Sequence, residues 1–376
     1  MSERSLCNAF ALTLAACSGM PAHAPTDASA SATDAGANDA SPSDDSKPSL
    51  PHAVKALGYY TGEQASYDAI TSFYSFLNLV SVDLYDVQTD GSIVGSDDKN
   101  VVAHDKSLGI KSFASISNFN GSINDFDPAL GHAALVTQKD TVIANLVKLA
   151  GMGFDGINID FEGLAYSANI ADDRAAYTAF IHDLSVKLHA VGSQLIISVP
   201  GKTMDATSDT WAYPYDFAAL APDIDYMQLM TYDETDGSSA PGPGAGVDWV
   251  EGCVAYAASL VIPSKILIGL PAYGYDWDLT ASSPSKNMYT STAVQWKDTA
   301  AILATAGAAT HWDNKSASPY VDYTSSDGHK HEAWYENPQS IQAKTRLVTK
   351  YALGGLSMWA LGEEDVSFWQ AAYAGL

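Results

Sequence analysis

Short apolar runs alternate with amphipathic stretches along most of the chain. Eight runs have the length and the Val, Ile, Leu and aromatic content of buried strands; they cover residues 54–60, 79–87, 111–119, 154–162, 194–200, 225–233, 265–271 and 354–361. Helical periodicity separates several of them, over residues 139–153, 172–192 and 249–260 and from Pro338 onward. This alternation predicts an α/β fold, a (β/α)8 TIM barrel. An open doubly wound sheet is the alternative, but its first strand would usually lead into a Gly-rich phosphate turn, which residues 58–63 do not form.

The seventh and eighth strands lie far apart in the sequence. The interval, about residues 275–335, is rich in Tyr, Trp, Ser, Asp and His and contains short alternating runs. A loop of that length usually has secondary structure of its own. We therefore expect a small α+β insertion that stands over one side of the barrel mouth.

The first 52 residues have a different composition from the rest. Residues 1–16 carry a short apolar stretch after Arg4, which is typical of a signal peptide. Leu14-Ala15-Ala16-Cys17 resembles a lipobox, so Cys17 is the predicted lipidation site and the protein a cell-envelope lipoprotein. Cleavage after Ala24 and secretion is the alternative. Residues 17–52 are rich in Ala, Ser and Asp and predict a disordered tether, which leaves residues 53–376 for the barrel.

Composition narrows the class of partner. The chain has 44 acidic and 19 basic residues, a net charge of −25, which argues against nucleic-acid binding because phosphate affinity requires clustered Lys and Arg. The same charge disfavours adsorption to anionic lipid, so we expect membrane contact only through the N-terminal lipid. The three cysteines, Cys7, Cys17 and Cys253, form no disulfide framework.

The fourth strand carries the candidate chemistry. Side chains of a strand alternate between its faces, so Asn158, Asp160 and Glu162 share one face and the intervening apolar residues occupy the other. Glu162 comes last, at the carboxyl end where barrel enzymes assemble their sites. Two carboxyl groups this close do not ionise easily together, so an ionised Asp160 should raise the pKa of Glu162. This predicts a general acid, whereas Asp155, out of register with the others, suits a role at strand entry.

The octapeptide Asp155-Gly-Ile-Asn-Ile-Asp-Phe-Glu162 resembles the signature of glycoside hydrolase family 18, the chitinase family. Further segments resemble the family in the same order: Met230-Thr231-Tyr232-Asp233 on the sixth strand, Gly269-Leu270-Pro271-Ala272-Tyr273-Gly274 on the seventh and Trp359 on the eighth. Taken alone, Trp359 is more often a core residue, and Tyr232 and Asp233 could simply form a hydrogen-bonded strand end. Their order relative to the acidic strand favours the family site. Within the family the chain looks most like the bacterial spore-cortex and peptidoglycan N-acetylglucosaminidases.

The resemblance implies a retaining, substrate-assisted mechanism on β-1,4-linked N-acetylglucosamine, without a cofactor or metal. Glu162 would be the acid and base, Asp160 would orient the substrate's acetamido group, and Tyr232 would bind the acetamido oxygen. Met230, Asp233, Trp359 and Tyr273 would line the sugar site. The implied substrate is peptidoglycan or its fragments, and chitin oligosaccharides are the alternative.

Asn158 departs from the family pattern, which usually has aspartate at this position. The family aspartate lies beside residues that match Tyr59 and Ser115, so these two are the expected neighbours of Asn158. Asparagine keeps the hydrogen bonding but removes a like charge, so we expect Asp160 to ionise more readily. The wall-hydrolase and chitobiase-like branches also tend to have Asn here.

Two other classes of function remain as alternatives. A lectin-like relative that binds sugar without cleaving it would usually lack the acid, whereas Glu162 is present. A metal hydrolase would need a cluster of ligands, and His329 and His331 have no convincing third partner in the sequence. We expect a monomeric glycosidase whose partner is a polysaccharide.

Overall fold

The computed structural model describes residues 54–376 and contains a closed barrel of eight parallel strands. The strands are β1 (Lys55–Tyr60), β2 (Leu79–Val87), β3 (Lys111–Ser117), β4 (Gly156–Asp160), β5 (Gln194–Pro200), β6 (Tyr226–Met230), β7 (Ile266–Pro271) and β8 (Gly355–Trp359). The barrel closes because β1 pairs with both β2 and β8. The predicted (β/α)8 fold is confirmed, and the open sheet is excluded.

Helices surround the barrel. They are α1 (Gln64–Phe73), α2 (Val101–Leu108), α3 (Pro128–His132), α4 (Lys139–Ala150), α5 (Ile170–Ala190), α6 (Phe217–Leu220), α7 (Val247–Ala258), α8 (Thr299–Leu303), α9 (Pro338–Lys350) and α10 (Val366–Ala374). A π-helical turn, Ala133–Thr137, joins α3 to α4. The outward strand residues and the inner helix faces form one large apolar core, as expected for a barrel whose strands are buried on both faces.

The lumen of the barrel is layered. Its lower layer is apolar and consists of Leu57, Leu79, Phe113, Ile196 and Leu267. Gly156, at the start of β4, leaves space for Phe113, because a Cβ there would lie 2.6 Å from the phenyl ring. Above this layer, toward the carboxyl ends of the strands, the inward residues become polar, and the acidic residues of β4 lie there.

The segment between β7 and β8 forms a five-stranded antiparallel sheet together with α8. Its strands are Tyr273–Asp278, Ser291–Gln295, Ala309–Asp313, Ser318–Thr324 and Lys330–Trp334. This is the α+β insertion expected for residues 275–335, and its first strand begins only two residues after β7 ends. A small hairpin of Phe119–Asn120 with Asp125–Phe126 follows β3.

The predicted signal peptide, tether and lipidation site at Cys17 lie outside the described residues. Within residues 54–376, none of the helices combines the length and apolar character needed to cross a membrane. Cys253 is buried in α7 with a free thiol.

Candidate active site

The polar residues of β4 point into the lumen near its upper end. Asn158 is fully buried and Asp160 is 6% exposed. Glu162 lies two residues beyond the end of β4 and is half-buried at the barrel mouth. The alternation expected from the sequence therefore brings the amide and the two carboxyl groups together on one face.

Asn158 is held by a polar network that crosses the lumen. Its Nδ2 donates to the Tyr59 hydroxyl (3.1 Å) and to Ser81 Oγ (2.9 Å), and its Oδ1 accepts from Ser198 Oγ (3.2 Å). The Tyr59 hydroxyl and Ser198 Oγ are also hydrogen-bonded to each other, at 2.8 Å. Ser115, the other expected neighbour, is adjacent to Asn158 in the β3–β4 register. The remaining side-chain hydrogen bonds come from Ser81 on β2 and from Ser198 on β5, the strand that pairs directly with β4.

A third carboxylate, Asp83 on β2, belongs to the same layer. Its strand position pairs with Ser115, which in turn pairs with Asn158. The pKa of Asp83 is raised to about 6, mainly by burial; a hydrogen bond with Ser115 opposes this shift and the charge of Asp86 adds to it. Burial also raises the pKa of Asp160, and Asp83 raises it further. Asn158 itself carries no charge, but Asp83 on β2 supplies a like charge to Asp160, whose pKa is raised to about 8.

The Glu162 carboxyl group lies close to several other carboxyl groups. Burial raises its pKa most, followed by the charge of Asp160, with smaller contributions from Asp233, Asp83 and Asp125. Sequence reasoning assigned this shift to Asp160, whereas desolvation is the larger cause. A raised pKa favours the protonated form of this carboxyl group, which is the form that a general acid needs.

The chain after β6 turns sharply to present Tyr232 and Asp233. Asp233 has a left-handed backbone (φ 58°) and its Oδ1 accepts from the hydroxyls of Tyr273 (2.9 Å) and Tyr275 (2.8 Å). The missing side chain of Gly269 makes room for Tyr232, since a Cβ there would lie 2.9 Å from the phenol ring. The insertion sheet, which carries Tyr273 and Tyr275, thus fixes one wall of the mouth.

Trp359, at the end of β8, forms the floor of the barrel mouth beside this wall. Its indole is partly buried and packs against Tyr273, and the centroids of the Trp359 and Tyr59 rings are 5.2 Å apart. The Trp359–Ala360 peptide is cis. Met230, at the end of β6, is half-buried on the same side. The structure therefore brings Met230, Tyr232, Asp233, Tyr273 and Trp359 to the mouth that holds Glu162.

Asp155 is the one predicted site residue that the structure places elsewhere. It precedes β4 at the opposite end of the barrel, where its Oδ2 accepts from the Ser112 backbone N–H (3.1 Å). This is the strand-entry position expected from its register, and it is remote from Glu162.

Sequence reasoning missed several residues of the site. Ser81 and Asp83 alternate along β2 and Ser198 lies at an inward position of β5, so strand periodicity contains a signal for them. Asp125 lies in a hairpin, and nothing in the local sequence indicates that it approaches Glu162. Across residues 54–376 there is no group of three or more His, Cys, Asp and Glu side chains arranged to hold a metal ion. His329 and His331 instead contact Asp278 and Asp276 of the insertion.

A (β/α)8 barrel with a buried and a half-buried carboxyl group at the end of one strand, beside an aromatic floor, is typical of a glycoside hydrolase. The chain belongs to glycosyl hydrolases family 18, whose model matches residues 53–364.

Similar proteins include a glycosylase, a cortical fragment-lytic enzyme and a chitinase. The chain is 34% identical to an uncharacterized glycosylase of Bacillus subtilis, YvbX, over 86% of this chain and 92% of the relative. It is 27% identical to the cortical fragment-lytic enzyme of Bacillus subtilis, over 80% and 67%. A crystal structure of a chitinase from Chromobacterium violaceum superposes with a TM-score of 0.78 at 37% identity and covers 86% of this chain and 99% of that one.

Proposed function

We propose that this enzyme hydrolyses β-1,4-linked N-acetylglucosamine glycans with retention, using the substrate's own acetamido group as nucleophile. The observation that carries the proposal is the pair formed by Asp160 and Glu162. Both lie at the carboxyl end of β4, and burial together with mutual charge repulsion raises the pKa of Glu162. A protonated Glu162 beside a carboxyl group that faces the lumen matches an acid with a neighbouring orienting group.

In the first step Glu162 gives its proton to the glycosidic oxygen, and the bond from that oxygen to C1 breaks. The acetamido carbonyl oxygen forms a new bond to C1, which gives an oxazolinium ion, and the leaving sugar departs with a hydroxyl group. Asp160 accepts a hydrogen bond from the acetamido N–H and stabilises the positive charge. The Tyr232 hydroxyl donates to the acetamido oxygen, while Met230, Asp233, Tyr273 and Trp359 enclose the sugar.

In the second step the Glu162 carboxylate takes a proton from water, and the resulting hydroxyl attacks C1. The bond to the acetamido oxygen breaks and the product keeps the β configuration. Two displacements at one carbon give net retention, and the acid of the first step acts as the base of the second.

Two substrates have specific support. Peptidoglycan or its fragments is the first candidate, supported by the similarity to the cortical fragment-lytic enzyme. Chitin oligosaccharides are the second, supported by the 37% identity to a chitinase. The proposed enzyme is a monomer that needs no cofactor and is exported, with Cys17 carrying a lipid that tethers the barrel to the cell envelope.

The experiment is product analysis on purified peptidoglycan and on chitin oligosaccharides, followed by proton NMR during the first minutes of hydrolysis. Muropeptides with reducing-end N-acetylglucosamine would support the first substrate, and chitobiose released while sacculi stay intact would support the second. An initial β anomer supports the mechanism. An initial α anomer would show inversion and exclude it.

A further inference from the structure

Asn118 is a buried amide that binds the backbone of the candidate acid. It follows β3 directly and is 0% exposed. Its Oδ1 accepts from the Glu162 backbone N–H at 2.7 Å, and its Nδ2 donates to the Glu162 carbonyl oxygen at 2.8 Å. One side chain thus binds both polar groups of the Glu162 backbone.

These two bonds take the place of backbone hydrogen bonds between β3 and β4, whose pairing ends before Glu162. The last residue pair between β3 and β4 joins Ser117 to Asp160. Glu162 lies beyond that pair, where no further β3–β4 pairing continues. The Asn118 side chain has the donor and acceptor of a peptide group, and it alone supplies the two bonds that a parallel strand would make through two different residues.

Asn118 is also held by hydrogen bonds to the backbone of Asp127. Its Nδ2 also donates to the Asp127 carbonyl oxygen at 3.1 Å, and its carbonyl oxygen accepts from the Asp127 N–H at 3.0 Å. Asp127 caps α3, because its side chain accepts from the Ala129 N–H. The amide is therefore held between the ends of β3 and β4 and the start of α3, so its orientation does not depend on bound substrate.

We propose that Asn118 is a positioning residue for Glu162, an inference that rests on the proposed function. It fixes the peptide from which the acid side chain extends, and so fixes the carboxyl group relative to the glycosidic oxygen. Asn118 does not reach the substrate, because its side chain is fully enclosed. Since displacement of a catalytic group by about 1 Å costs about 100-fold in rate, loss of Asn118 should lower kcat and leave KM nearly unchanged.

The chain offers a matched control at the other end of the barrel. Asn78 Oδ1 accepts from the Ala56 backbone N–H at 2.7 Å, and Asn78 Nδ2 donates to the Val54 carbonyl oxygen at 3.4 Å. Asn78→Ala therefore removes the same kind of amide bridge from a place far from Glu162. It should lower the melting temperature without changing kcat.

The test compares wild type, Asn118→Ala and Asn78→Ala by steady-state kinetics on a chromogenic N-acetylglucosaminide and by hydrogen exchange of the Glu162 amide. For Asn118→Ala we expect kcat to fall by about 10- to 100-fold, KM to stay within about twofold, and the Glu162 amide to exchange faster. Asn118→Ser leaves room for water beside the freed peptide groups, so it serves as the second variant if the alanine variant does not fold.

Unchanged kcat in the folded Asn118 variants, an equal loss of kcat in Asn78→Ala, or unchanged exchange at Glu162 would each overturn the inference. A wild type that hydrolyses no N-acetylglucosaminide would instead refute the proposed function. In that case hydrogen exchange still decides whether Asn118 fixes the Glu162 peptide.

Discussion

Replacing Asp83 by asparagine should move the acidic limb of the pH–activity profile to lower pH. Asp83 lies on β2 in the polar layer of the lumen, and its charge raises the pKa of both Asp160 and Glu162. Asparagine has nearly the same shape and removes only the charge. Because the two affected groups are the proposed orienting group and acid, the effect should appear directly in catalysis.

The size of the shift follows from barrel geometry. Asp83 on β2 and Asp160 on β4 are two strands apart and offset by two residues in register, as Ser81 and Asn158 are, whose side chains are hydrogen-bonded at 2.9 Å. Because the strands tilt in the barrel, this offset places the two inward carboxylates at most about 8 Å apart. At an effective dielectric constant of about 20 the repulsion is about 2 kcal/mol, which corresponds to about 1.5 pKa units. Solvent at the mouth reduces this to about one unit.

The assay is kcat/KM against pH for wild type and Asp83→Asn. A like charge raises the pKa of Asp160, so its removal lets Asp160 ionise at lower pH, and the acidic limb should move down by about one unit. The alkaline limb, which reports the proton on Glu162, should move down less, since Asp83 is the main charge that raises the pKa of Asp160 but only the third charge that raises the pKa of Glu162. An unchanged acidic limb, or one displaced to higher pH, would refute the reasoning.

A second buried carboxylate serves as the control. Asp105 is 0% exposed, accepts from Ser112 Oγ at 2.7 Å, and burial raises its pKa to about 7. It lies near the start of β3, at the end of the barrel away from Glu162. Asp105→Asn should leave both limbs of the profile unchanged. A shift as large as that of Asp83→Asn would mean that general changes in fold stability cause the effect.

Two further substitutions separate chemistry from stability. Tyr232→Phe should lower kcat by about 10- to 100-fold, because it removes one donor to the acetamido oxygen, and a melting temperature that drops with kcat would contradict this role. Lys344 is 0% exposed and its Nζ lies 2.7 Å from Glu336 Oε2. Lys344→Met should therefore lower the free energy of unfolding by about 3 kcal/mol in chemical denaturation, because it leaves the buried Glu336 carboxylate without its cation. An unchanged unfolding midpoint would show that Glu336 is satisfied without Lys344.

The barrel could be predicted from the sequence because each strand is a local pattern. Residues 79–87 and 194–200 were predicted with the bounds that β2 and β5 have. The other strands differ mainly at their ends, where β4 stops at Asp160 although the apolar alternation continues to Glu162. The pattern records which face is buried, whereas the strand ends depend on pairing with neighbouring strands.

The site could be predicted only where a motif marks it. Glu162, Asp160, Tyr232 and Trp359 lie in segments that resemble a known family, and the structure brings them to one mouth. The partners of Asn158 on β1, β2 and β5 and the approach of Asp83 depend on how the strands pair around the barrel, which joins residues far apart in sequence. Asn118 shows the same limit, because its amide binds a residue 44 positions away and no local pattern encodes that contact.

The most direct test of the account is the hydrolysis of a chromogenic N-acetylglucosaminide by wild type and by Glu162→Gln. Glutamine keeps the size of the side chain and its buried setting but has no acidic proton to give to the glycosidic oxygen. We expect a wild type that turns over and a folded variant whose kcat is lower by at least about 1,000-fold, because both the acid and the base function are lost. Equal rates for the two proteins would contradict the assignment of Glu162 as the catalytic acid.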